Sequence, residues 1–245
     1  MLGELPERIS RDDVVTIASR IVTPTDAVAT FVAAMVWGFG RVGYGPYRTA
    51  RVLAKNPDAG ARLAELARRV ATNGGPDAFD WIAGHRLDGL GVAFSTKFMF
   101  FCGADRAAPA LVLDRLVSDW FYSNAGWRPN LDWNGRDYRD YVESVVRWSD
   151  ELGLRPADTE LLIFQDQVRR APESQWAASA FDEEVLLPAT GNVVADAPGT
   201  SRLDQRLHEI ADDLLGRPGL TSDDLDDVEY HLRSLRRIAA RSAQG

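Results

Sequence analysis

An all-α domain is the fold class predicted by this sequence of 245 residues. Apolar residues recur at helical spacing through most of the chain, few stretches alternate with period two, and helix caps, glycines and prolines separate the periodic runs. A hydrophobic content of 45% is ordinary for a globular chain, and the length suits one large helical domain or such a domain with an appendage.

The formal net charge of -8 and a pI near 5.0 argue against binding nucleic acid by global attraction, so any DNA contact needs a local basic patch. The single cysteine, Cys102, lies in an apolar run and has no intrachain partner, which fits a reducing compartment and a small buried hydrophobe. The first residues carry acids and no apolar stretch of signal-peptide length, and no window approaches the roughly 20 apolar residues of a membrane span. These features predict a soluble, cytoplasmic protein. No cofactor is expected, and neither is a metal, because His208 and His231 stand at no metal-ligand spacing.

The first long helix is expected in AVATFVAAMVWGFG, capped by Thr25 or Asp26 and ended by Gly38. Next comes GFGRVGYGPYRTARVLAK, with glycines at 38, 40, 43 and 45 and Pro46 in the first turn of a helix bearing Arg48, Arg51 and Lys55. Backbone N–H groups of such a loop, with Arg41 and Arg48 beside them, suit a phosphate; a tight helix-to-helix connection explains the same glycines. No Walker or Rossmann pattern is present. Asp58 to Val70 reads as an amphipathic helix closed by Asn73-Gly74-Gly75-Pro76, and Phe79, Trp81 and Ile82 start a short one.

After the central stretch from Leu87 to Trp120, a turn-rich segment leads to a helix whose apolar face holds Tyr141, Val145, Val146, Trp148 and Leu152. Asp158 is the expected N-cap of the next, with Arg169 and Arg170 at its C-terminal end. A boundary is expected after about Ala180. Residues 181–202 read as a linker or long loop and residues 203–245 as a C-terminal helical hairpin, so the main helical domain is assigned to residues 1–180.

Two charges in the central stretch need a reason. Lys97 sits among Phe94, Phe98, Phe100 and Phe101, and Asp114 interrupts ALVLDRLVSDW. Apolar surroundings disfavour an ammonium and enlarge the share of free amine, the nucleophilic form, although a lysine that snorkels to the surface is equally compatible with the pattern. Asp114 is a good N-cap for a helix starting at Arg115, and a carboxylate fixed in that way can also face a developing positive charge.

The motifs G-L-G-x-A-F-S-T-K-F, A-L-V-L-D-R and the upstream WGFGRVGYGPYRTARVL resemble the helix-hairpin-helix DNA glycosylases, in particular the 8-oxoguanine DNA glycosylase-like branch of bacteria and archaea. The resemblance spans about Pro24 to Arg170. It implies a helix-hairpin-helix domain acting on double-stranded DNA that contains a damaged or modified base. Lys97 would attack C1′ of the flipped nucleotide, Asp114 would assist, and an AP lyase step would follow. The hairpin is Leu87-Asp88-Gly89-Leu90-Gly91, with Gly89 and Gly91 approaching a phosphate, and Arg41, Tyr44, Tyr47 and Arg48 are the other expected DNA contacts. Pocket candidates are Trp37, Phe39, Trp120, Phe121, Trp127 and Trp133, all of which are equally suited to a core. Relative to the family pattern, Asp88 adds a negative charge to the hairpin, and Lys97 lies beyond the first turn of its helix. The lone cysteine rules out the four-cysteine iron–sulfur branch. Two other readings remain open at this point, a glycosylase for another modified base such as those of phage DNA, and a catalytically inactive DNA-binding or scaffolding module.

Overall fold

The computed structural model describes residues 9–40, 45–103 and 107–170, and these form nine helices with no strand among them. In chain order they are α1 (Arg11–Ala18), α2 (Pro24–Phe39), α3 (Gly45–Lys55), α4 (Ala59–Asn73), α5 (Gly75–Gly84), α6 (Val92–Gly103), α7 (Arg115–Ala125), α8 (Gly135–Leu152) and α9 (Pro156–Arg170). The all-α expectation is met. The expected linker and C-terminal hairpin lie outside the described residues, as do Arg41 and Tyr44. Among the described residues no helix is long and apolar enough to cross a membrane.

Several helix ends differ from the expectation. Before α2 the cap is Thr23, whose hydroxyl accepts the Asp26 amide while the Asp26 carboxylate accepts the Thr23 amide at 2.8 Å. Thr25 and Asp26 are therefore inside the helix, and this reciprocal capping box outcompetes a single cap one turn later. Hydrogen bonds from Thr23 hold the Asp26 carboxyl below its usual range. The helix also runs through Gly38 and stops at Gly40, which has φ 54°. Asp158 stands in the first turn of α9 and takes Arg155 at 2.8 Å, a place where the helix dipole favours a carboxylate. α1, for which the apolar pattern is weak, owes its start to a second capping box between Ser10 and Asp13.

α2 is the central helix, in contact with α1, α3, α4 and α6. Behind it α6 is buried on every side: each residue from Phe94 to Phe101 is shielded from water. A helix apolar all round belongs in the middle of a fold. One face of α6 joins the main core with Phe31, Leu63, Phe79 and Phe121, and Phe100 and Phe101 meet Val14, Ala33 and Val112 in a smaller cluster. Fully burying side chains of this size stabilises the fold by roughly 1.5–3 kcal/mol each, which is why the helix can tolerate a lysine in its middle.

Candidate active site

The hairpin between α5 and α6 is built first by backbone bonds. The Leu90 amide donates to the Leu87 carbonyl, Gly89 takes φ 83°, and the Gly91 carbonyl accepts Ser95 at the start of α6. The buried side chain of Asn56 fastens this turn to α3: it accepts the Asp88 amide at 2.9 Å and donates to the Asp88 carbonyl at 3.1 Å. Asp88 itself is exposed, and Gly91 is buried.

Beyond α6 the chain returns as a buried segment without regular structure, residues 109–113. Buried backbone groups outside helices and sheets need other partners, or each costs about 1–3 kcal/mol. Side-chain hydroxyls supply them. The Tyr138 hydroxyl accepts the Leu111 amide at 3.1 Å and donates to the Leu111 carbonyl at 2.8 Å, and the Tyr141 hydroxyl donates to the Val112 carbonyl at 2.6 Å. Thr96 of α6 accepts the Leu113 amide at 3.0 Å. Burial raises both tyrosines above their usual range, so they remain neutral hydroxyls suited to this work. At the other end of the segment, the Gly75 amide donates to Ala108 at 2.9 Å, and a Cβ at Gly75 would meet the Ala110 Cα at 2.6 Å, so only glycine admits this approach.

The segment delivers Asp114 to the start of α7. One carboxylate oxygen, Oδ1, accepts the amides of Leu116 and Val117 at 3.1 and 3.2 Å, which is N-capping as expected. The other, Oδ2, meets Lys97 Nζ at 2.9 Å. Their side chains retain 8% and 14% exposure, so the ammonium is not snorkelling into open solvent. Lys97 Nζ also lies 5.3 Å from the centroid of the Phe94 ring, as does the Arg48 guanidinium, and Phe39 stacks on that ring at 4.4 Å. Burial raises the carboxyl of Asp119, farther along α7, against the opposing charge of Arg128, which it meets at 2.9 Å, with a smaller upward push from Asp114. Burial pushes the Cys102 thiol up to about 12, which removes it as a nucleophile near neutral pH.

The other sequence candidates are more scattered. Arg48 is turned inward, 4% exposed, rather than lying on the surface where a phosphate contact was expected, because it shares the buried face of α3 with Thr49 and Val52. Tyr47 is half exposed on the same helix. Of the aromatic candidates, Phe39 joins Phe94 and Lys97, whereas Phe121 is fully buried among Trp120, Trp127, Tyr141 and Trp148 as part of the core. Trp120 donates to Asp166 at 2.8 Å, Trp37 packs edge-on against Phe101, and Trp133 packs on Phe79. Trp120, Phe121 and Trp127 thus pack together, whereas Trp37, Phe39 and Trp133 each lie against a different ring. Residues that sequence reasoning did not single out for the site are Thr96, Tyr138, Tyr141, Asn56 and Gly38. For Thr96 a signal existed, because Thr96 and Leu113 have the same separation as Lys97 and Asp114.

A buried amine held by a carboxylate whose second oxygen is fixed by a helix start can exchange a proton with that carboxylate and place an unprotonated nitrogen against an electrophile. No group of histidine, cysteine and acidic side chains suited to a metal is found among the described residues. No curated protein and no solved structure matches the chain. Residues 2–164 match the family model described as "Putative 8-oxoguanine DNA glycosylase OGG-like protein". With more than half of its length matched, and with this all-α fold, the chain belongs to the OGG-like family of DNA glycosylases.

Proposed function

We propose that the chain removes an oxidised guanine, such as 8-oxoguanine, from double-stranded DNA, with Lys97 as nucleophile and Asp114 as its acid–base and electrostatic partner. The 2.9 Å contact between these buried side chains, which come from separate elements, carries the reading. The damaged nucleotide is extruded from the duplex to reach them. Asp114 accepts a proton from Nζ, and the free amine attacks C1′ of the sugar. The bond from C1′ to the base breaks, and the base leaves with that electron pair and takes a proton. Loss of a further proton from the nitrogen lets its lone pair expel O4′, which is protonated as the ring opens to an iminium linking Lys97 to C1′. Asp114 stabilises the positive charge that builds on the sugar at each stage. The iminium then acts as an electron sink for loss of a C2′ proton and departure of the 3′ phosphate, the AP lyase step.

For DNA engagement, the hairpin offers the Gly89 amide and the start of α6, since the Asp88 and Leu90 amides are bonded within the protein. Phe39 and Phe94 are the aromatic surface nearest the amine, and in this reading they border the extruded nucleotide.

Borohydride trapping tests the proposal. A duplex with 8-oxoguanine opposite cytosine is mixed with the protein and the reductant, which converts the iminium to a stable secondary amine. A covalent adduct that vanishes in a folded Lys97→Gln variant supports it, and an adduct unchanged in that variant removes Lys97 as nucleophile. An adduct with a different modified base alone keeps the chemistry and replaces the substrate. No adduct with any modified base, together with retained DNA binding, leaves a DNA-binding module.

A further inference from the structure

Gly38 lies in the last turn of α2, one residue before the helix ends at Phe39 and two before its cap at Gly40, where alanine is still the better helix former and φ is ordinary. Neither a turn nor a cap explains the missing side chain. What lies over it does: a Cβ built at Gly38 would stand 2.9 Å from Lys97 Cδ, 3.6 Å from Lys97 Cε and 3.2 Å from Phe94 Cε1. Contacts shorter than ordinary van der Waals separation require one partner to move.

The neighbouring groups leave little choice as to which partner moves. Phe94 is backed by the stacked ring of Phe39 at 4.4 Å and faces the Arg48 guanidinium at 5.3 Å. Phe39 is in turn pressed by α3, because a Cβ at Gly45 would come within 2.7 Å of its ring. The backbone of α6 is enclosed on all sides. The lysine chain is the flexible element.

We infer that Gly38 is a positioning residue for Lys97. Its missing side chain leaves a channel between α2 and the Phe94 ring through which the lysine methylenes pass, and this route brings Nζ to Asp114. Its consequence for catalysis rests on the function proposed above, whereas the positional relation stands on the geometry alone. A methyl group at this position diverts the lysine and meets no residue of the hairpin.

The test compares Gly38→Ala with the unaltered protein and with Gly84→Ala, a helical glycine at which an added Cβ meets nothing within 4 Å. In Gly38→Ala the Nζ to Asp114 contact should be lost in a crystal structure, and adduct formation with 8-oxoguanine DNA should slow by about tenfold or more with DNA affinity nearly unchanged, since displacements of about 1 Å cost rate rather than binding. Gly84→Ala should match the unaltered protein in both. An intact Lys97–Asp114 contact in Gly38→Ala overturns the inference. If the unaltered protein forms no adduct with any modified base, the enzymatic reading fails and the crystallographic contact alone decides the role of Gly38. If Gly38→Ala does not fold, thermal unfolding of Gly38→Ala in a Lys97→Ala background decides it. Recovery there locates the clash at the lysine, and equal failure in both backgrounds overturns the inference.

Discussion

The Thr96 hydroxyl accepts the Leu113 amide at 3.0 Å, one residue before Lys97 and Asp114 meet at 2.9 Å. The two contacts are consecutive rungs between α6 and the segment that feeds α7. The first fixes the register in which the second forms.

Thr96→Val keeps the shape of the side chain and removes the rung. The Leu113 amide is then buried without its partner, so unfolding by denaturant should show a loss of about 1–3 kcal/mol. Turnover should fall with DNA affinity preserved, because the displaced group is the carboxylate rather than the hairpin. A stability loss with no change in turnover would show that the register of Asp114 survives without the threonine.

Substitutions at Asp114 separate its two duties. Asparagine can still cap α7 but leaves the buried amine without its counter-charge, so Asp114→Asn should keep the cap, lose some stability and lose activity by about a hundredfold or more. Asp114→Ala gives up the cap as well and should be less stable than Asp114→Asn by about 0.5–2 kcal/mol. Equal activity in Asp114→Asn and the unaltered protein would reduce the residue to a cap.

Raised hydroxyl and thiol groups make the fold sensitive to alkali. Tyr138, Tyr141 and Cys102 all hold their protons more tightly when folded, the thiol being pushed up to about 12 from 9.0. Their contribution is complete below the pH at which the unfolded groups ionise, about 9 for the cysteine and about 10 for the tyrosines, and is lost as pH rises through the folded values. Melting temperature should therefore decline from about pH 9 upward, and more steeply above about pH 10. Tyr138→Phe should lessen the steeper part while lowering stability near neutrality. Cys102 should react with iodoacetamide at pH 8 much more slowly in the native protein than in the unfolded chain.

Asn56 and Gly89 shape the hairpin without touching Lys97 or Asp114. Asn56→Ala strands the Asp88 backbone and should cost about 1–3 kcal/mol. Gly89→Ala places a side chain at φ 83° and should cost about 1–2 kcal/mol. Both should weaken binding to duplex DNA in a salt titration, whereas adduct yield at saturating DNA should change little.

The contact between Lys97 and Asp114 was legible in the sequence because two charges stood in apolar runs, and apolar runs reject charge without a partner. Much of what holds the pair was not. Tyr141 shows only as an apolar helical position; nothing in its spacing reveals that its hydroxyl serves Val112 across the fold. Gly38 reads as a helix stop because glycine usually is one, and the lysine that needs its space belongs to a helix far along the chain. Thr23-Pro24-Thr25-Asp26 contains the capping-box signature together with a second threonine, so the cap is set by the Asp26 carboxylate folding back rather than by residue type. Arg48, expected as a DNA contact beside the glycine-rich loop, shares the buried face of α3 with Thr49 and Val52.

The hydroxyl clamp on residues 111 and 112 comes from α8, which the ribosome makes after both Lys97 and Asp114. A nascent chain that has emerged only through α7 holds the amine and the acid but lacks the tyrosines that align the segment between them. With Lys97 and Asp114 acting as proposed above, competence would arrive late in synthesis, with the docking of α8, and fragments truncated before that helix should be chemically silent even though they contain both residues.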